Sequence, residues 1–131
     1  MSSDCSFSSF MPECRNYASL NSGSRRASYY GYRGYCDSNL GPGWFRFQGS
    51  AGTRMATSCT SYKRCGTYYT GWLSGGHPTV ADGQVTRTVC FRSRYSCCSY
   101  SRSIKVRNCG SYYVYYLSGT PTCDLRYCGT N

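Results

Sequence analysis

Acid is scarce in this chain: against fifteen basic residues stand only Asp4, Glu13, Asp37, Asp82 and Asp124, a formal net charge of +10. The carboxylates are scattered singly. That denies the chain the facing pair that glycoside hydrolysis needs and the clustered oxygens of a calcium site. Histidine is scarcer still, and a Ser/His/Asp triad would have to use His77. That residue sits in a Gly75-Gly76-His77-Pro78 turn, where a structural role is the expectation. No enzyme activity and no cofactor are expected. There is no Cys-x-x-Cys, so zinc is disfavoured and no metal is expected. No apolar run approaches the ~20 residues of a membrane span, and no apolar stretch follows Met1, which reads as a start replacing a removed signal.

Cysteine, by contrast, is abundant, with eleven in 131 residues. Cytosolic thiols are kept reduced, so this density places the chain in an oxidising compartment, secreted and extracellular. Aliphatic content is low, and cross-links are expected to supply stability that the core cannot, each about 2–5 kcal/mol. An odd count leaves one thiol over. Residues 1–13 are serine-rich and aperiodic and read as a flexible leader, with residues 14–131 as the single domain. Cys5 in that leader is the candidate for the odd thiol, and so for a homodimer bridge, a free thiol or a truncation artefact.

Strand signals dominate the rest. Gly41-Pro42-Gly43 marks a turn into the aromatic strand Trp44-Phe45-Arg46-Phe47. Alternation places Val85, Arg87, Val89 and Phe91 on one face, Ile104 and Val106 inward with Lys105 and Arg107 outward, and Tyr112 to Leu117 in a further strand. Helix is confined to a turn or two, near Thr57 to Tyr62. The fold class expected is mainly β: a small disulfide-rich domain of short antiparallel strands.

Thirteen of the fifteen basic residues are arginine, and fifteen residues are tyrosine. Tyrosine gives large contact area at low entropy cost, and arginine's planar fork grips carboxylate, sulfate or phosphate. Trp44, Phe45, Phe47, Trp72, Tyr113 and Tyr115 are assigned to structure. Candidate ligand contacts are Tyr29, Tyr30, Tyr32, Arg33 and Tyr35 in a glycine-spaced loop, and Arg92, Arg94, Tyr95, Tyr100 and Arg102 around the Cys97-Cys98 pair. Basic charge interleaved with tyrosine also suits single-stranded nucleic acid, but an extracellular compartment argues against that partner.

Several motifs occur together: GPGWFRFQGSAGTRM at 41–55, Cys59 and Cys65, GWLSGGHP at 71–78, Cys97-Cys98, YYVYYL at 112–117, and Cys123 and Cys128. On these the stretch from Cys14 to Cys128 resembles the cysteine-rich domain of uromodulin and related zona-pellucida-type glycoproteins. The resemblance implies a β-rich unit with bridges Cys14–Cys109, Cys36–Cys123, Cys59–Cys97, Cys65–Cys128 and Cys90–Cys98, leaving Cys5 out. Relatives present N-linked glycan to microbial adhesins, whereas Asn16, Asn21, Asn39, Asn108 and Asn131 all lack the N-x-S/T sequon. Where the family carries a glycan acceptor near the end of the YYVY strand, this chain has Tyr116, a further candidate contact; in the W-L-x-G-x-H-P turn it has Ser74.

The function expected is calcium-independent recognition of carbohydrate, neutral or anionic, on glycoproteins or glycolipids of cell surfaces or microbes. Tyrosine would stack on sugar faces while arginine, amide and hydroxyl groups hold the rim. The alternative is a matrix or adhesive structural protein without a specific sugar site.

Overall fold

A computed structural model describes residues 11–131, and the Cys5 assignments therefore lie outside the described residues. Among the described residues nine strands form: β1 (Ala18–Leu20), β2 (Gly43–Phe47), β3 (Arg54–Met55), β4 (Tyr69–Ser74), β5 (Gln84–Arg92), β6 (Tyr100–Asn108), β7 (Tyr113–Leu117), β8 (Leu125–Tyr127) and β9 (Gly129–Thr130). Seven make one sheet in the order β1-β2-β7-β6-β5-β4-β8; β3 and β9 make a two-stranded one. The centre is an antiparallel meander, and the edge pairs β1–β2 and β4–β8 are parallel. The fold is mainly β, as the alternation predicts.

Residues directly opposite in an antiparallel ladder share a face. Phe45, Tyr115 and Val106 therefore lie on one side, with Leu73, Val89, Phe91, Leu125 and Tyr127 in the same buried cluster. Met55 and Ala51, from the segment leading through β3, join that cluster and cover the inner face. A second, smaller cluster of Met11, Cys14, Cys109 and Val114 packs on the other side, flanked by Tyr17, Trp44 and Tyr112. Met11 and Glu13, at the end of the stretch read as leader, are thus packed against the body. Arg107 turns back to Glu13 at 2.6 Å, so it is half-buried where alternation alone places it outward.

No helix forms at Thr57 to Tyr62. The carbonyls of Thr60 and Ser61 accept from Thr70 Oγ1, and that of Thr60 also from Arg92, which holds the segment against β4 and β5 in a non-helical conformation. Short 3-10 turns occur instead at Pro12–Cys14, Gly23–Arg25 and Gly49–Ala51.

Five disulfides join Cys14 to Cys109, Cys36 to Cys123, Cys59 to Cys97, Cys65 to Cys128 and Cys90 to Cys98. Sequence separations are 95, 87, 38, 63 and 8 residues. Beside them sits a buried ion pair. Both Asp37 carboxylate oxygens accept from Arg25, at 2.7 and 3.0 Å, and Oδ2 also takes the Tyr127 N–H at 2.8 Å. Arg25 donates on to the Tyr127 carbonyl, while Asp37 makes backbone bonds with Leu125 and Thr120. The loop of residues 22–37 is thereby fastened to β8.

Substituting Asp37→Asn strands Arg25 as an uncompensated buried cation, which costs about 3–5 kcal/mol when a buried pair is broken. Urea unfolding with disulfides intact is expected to show that loss. A loss within about 0.5 kcal/mol, the range of ordinary surface substitutions, would contradict it.

Candidate tyrosine and arginine recognition surface

The loop carrying the candidate tyrosines meets a second segment about 30 residues downstream. Tyr30 bridges to Arg64 and Tyr32 to Gly66, and Cys65 N–H donates to the Tyr29 carbonyl. Between them opens a cavity of about 340 Å³ lined by Tyr30, Gly31, Tyr32, Ser61, Tyr62, Lys63 and Arg64. Its wall is built with unusual backbone: Lys63 and Cys65 hold left-handed φ of 55° and 60°, which costs about 1–3 kcal/mol each for residues other than glycine. Tertiary contacts impose that geometry. The Lys63 N–H reaches the Tyr68 carbonyl, and Cys65 is bonded to Cys128. Gly66 (φ 70°) follows, where a Cβ would lie 2.6 Å from the Tyr35 ring and 3.0 Å from the Arg126 guanidinium. Only glycine lets those two groups close over the backbone.

The rings are ordered by contact. Arg64 stacks over Tyr30, 4.5 Å from its centroid, and Tyr30 is 77% exposed. Tyr62, Tyr68, Tyr69 and Tyr100 follow one another at centroid spacings of 5.7, 4.7 and 5.2 Å in tilted and edge contacts. Tyr32 donates to Asp124 at 2.8 Å, and that bond raises its phenol pKa. The Tyr69 phenol is raised too, by burial first and then by Tyr100, Tyr68 and Asp124.

The remaining candidate residues are placed apart from the cavity lining. Arg33 donates to Tyr29 Oη at 3.2 Å. The Tyr35 ring covers Arg126, whose guanidinium lies 4.9 Å away and is brought down to about 10 by burial and by Arg25. Arg92 is spent on the carbonyls of Ser93 and Thr60, and Arg102 on that of Gly119. Arg94 and Tyr95 pair in the loop between β5 and β6, where Tyr95 is 86% exposed. Tyr116 lies on β7, three strands from β4, edge-on to Trp44 at 5.4 Å. Of the residues assigned to structure, Phe45, Phe47 and Tyr115 are buried and Trp44, Trp72 and Tyr113 half-buried.

Ser61, Tyr62, Lys63, Arg64, Tyr68 and Tyr69 escape a reading of the sequence. Their signal is the run YKRC followed by YY, masked by the helical turn expected just before it. Among the described residues no group of three or more His, Cys, Asp and Glu could hold a metal ion, and no helix is long and apolar enough to cross a membrane.

His77 is wedged among aromatic rings, 4.2 Å from Tyr113 by centroids, with Nε2 2.6 Å from Tyr115 Oη. Tyr115 Oη also accepts the Met55 N–H, so one hydroxyl joins His77 to the β3 backbone. Burial first, then Arg54 and Arg87, hold the His77 pKa down at about 4 against an ordinary 6.5. The Tyr115 phenol is pushed up, by burial above all. The ring serves the fold.

The family model for the uromodulin-like cysteine-rich domain matches residues 45–129. Pancreatic secretory granule membrane major glycoprotein GP2 of Rattus norvegicus is 44% identical over 119 residues, covering 88% of this chain and 22% of that protein. The GP2 of Homo sapiens is 40% identical over 116 residues, with 88% and 21% covered. Uromodulin of Mus musculus is 40% identical over 116 residues, with 88% and 18% covered. The chain spans about a fifth of the length of these curated relatives.

The His77 geometry sets a pH dependence. A base whose folded pKa is depressed takes up its proton more readily when unfolded, so its contribution is complete above about 6.5 and is lost as pH falls toward about 4. The melting temperature is expected to fall over that window, and the His77→Gln variant to show a flatter profile there. Equal slopes in both proteins would refute the assignment.

Proposed function

We propose that this chain, which belongs to the uromodulin-like domain family, is a calcium-independent carbohydrate-recognition module. It is secreted and extracellular, as its five disulfides and its secretory glycoprotein relatives agree. The observation that carries the reading is the open cavity in which Tyr30, Tyr32 and Tyr62 stand beside Ser61, Lys63 and Arg64. Sugars offer apolar C–H faces edged by hydroxyls. Aromatic rings take the faces, and hydroxyl, ammonium and guanidinium groups take the edges.

Calcium has no part in this scheme. The one described carboxylate that approaches the cavity wall, Asp124, is engaged by the Tyr32 hydroxyl, and Asp37 and Glu13 are paired with arginines elsewhere. Ring positions are also fixed in advance. Tyr32 is tethered to Asp124, Tyr30 is stacked by Arg64, and Tyr62 abuts Tyr68, so little rotamer freedom is left to lose on binding. Tyr100 extends the same ring series and Tyr69 links it to the wall. Arg92 ties Thr60, next to the cavity wall, to β5, while Arg102 donates to the Gly119 carbonyl; neither lines the cavity.

The test is a glycan array with the oxidised protein in EDTA at low and high salt. The expected result is saturable, salt-resistant binding to a narrow set of glycans, weakened about tenfold or more by Tyr30→Ala or Tyr62→Ala, since truncating an aromatic anchor of a binding site costs on the order of 2 kcal/mol. Tyr95→Ala, outside the cavity lining, is expected to bind normally. Self-association governed by salt and reductant, with no glycan bound, would replace this reading by that of an adhesive matrix protein.

A further inference from the structure

We infer that the cavity is built for a sugar bearing an anionic oxygen group, a carboxylate or a sulfate ester, held by Arg64 and Lys63; this rests on the carbohydrate reading above. Two cations and no carboxylate line the cavity. Among the described residues the salt bridges are Arg25–Asp37 and Arg107–Glu13, both elsewhere, and Asp124 is held by the Tyr32 hydroxyl. Asp82 is taken up by its own turn, accepting from Thr79 N–H at 2.9 Å. The side-chain contacts of the two cations are with aromatic faces, Lys63 with Tyr68 and Arg64 with Tyr30. Among the described residues Lys63 and Arg64 have no carboxylate partner, and both stand at the mouth of a cavity.

Arg64 is also pre-set for the task. Its guanidinium lies over the Tyr30 ring, an arrangement that satisfies the π-face and spends none of the N–H donors of the fork, which are left for two acceptor oxygens. Its neighbours on both sides, Lys63 and Cys65, carry the left-handed backbone, so the strain of this segment is concentrated where the two cations are presented. Tyr30 then lies next to the bound charge and offers its ring to the adjoining sugar face. A single carboxylate or sulfate shared by Arg64 and Lys63 would be matched in charge and in donor geometry. A neutral sugar leaves both cations unused.

The probes are neutral disaccharides on several backbones, each matched by a sialylated or uronic-acid form and by a sulfated form, titrated at about 150 mM salt, where long-range attraction is screened. At least one anionic form is expected to bind tenfold or more tighter than its neutral parent, in line with a charge-assisted hydrogen-bond pair. Preference for the carboxylate, the sulfate or both supports the inference and identifies the group. Arg64→Gln and Lys63→Gln are expected to remove the preference, whereas Lys105→Gln, an equal charge change on the exposed side of β6, preserves it. Neutral and anionic forms bound alike would overturn the inference while leaving carbohydrate binding intact. Loss of preference in Lys105→Gln to the same extent would overturn it in favour of net charge. No glycan bound at all would remove both readings.

Discussion

The contact between Asp37 and Arg25, with their shared bonds to Tyr127, decides where the tyrosine-bearing loop of this protein sits. One buried carboxylate takes two guanidinium bonds and the Tyr127 N–H, and Arg25 donates to the Tyr127 carbonyl, so the loop bearing Tyr29 to Tyr35 cannot lift from β8 without breaking the bonds that both members of the pair make to it. Next to it, Cys36–Cys123 adds a covalent tie. Isolated bridges from Tyr30 and Tyr32 to Arg64 and Gly66 then follow from position rather than from strand propensity. A glycine-spaced loop that would be mobile on its own becomes one wall of a cavity.

The scarcity of acid gives each described carboxylate a distinct placement. Asp37 organises the loop, Glu13 secures the N-terminal turn to Arg107 and Gln84, Asp82 closes a turn, and Asp124 holds Tyr32. Among the described residues two carboxylates are thus paired with arginines, and no carboxylate lines the cavity. Arginine elsewhere is absorbed by aromatic faces: Arg46 lies 3.9 Å over Tyr112 and 5.6 Å from Tyr17, and Arg126 lies under Tyr35. Tyrosine therefore does two jobs, shielding cations inside the fold and presenting rings at its surface.

Much of the sheet is legible in the sequence because its long strands face a core on one side. In β5 and β6 the alternation of Val85, Val89, Phe91, Ile104 and Val106 with threonine, serine and lysine is the imprint of that asymmetry. The edges are not legible: β8 is three residues, all buried, and β4 carries Gly71, where a Cβ would meet the Arg126 carbonyl and Phe91. Neither alternates. Of the cavity, Tyr30 and Tyr32 stand out by composition, but their partners at 61–64 come from contacts between segments far apart in sequence, which no local pattern reports. The buried Arg25 is equally silent, since a lone arginine in a serine-rich stretch looks like surface.

The connectivity of the cysteines also sets a timetable for making the protein. Cys14 waits for Cys109, Cys36 for Cys123 and Cys65 for Cys128, so three of the five bonds join earlier parts of the sequence to its last quarter. Only Cys90 finds its partner within eight residues, and there Cys97 stands next to the correct Cys98 as an immediate competitor. A ribosome delivers the thiols in an order unlike that in which they must be joined. Completion therefore waits for Cys128, in a compartment that can break and remake sulfur bonds until the last strands arrive.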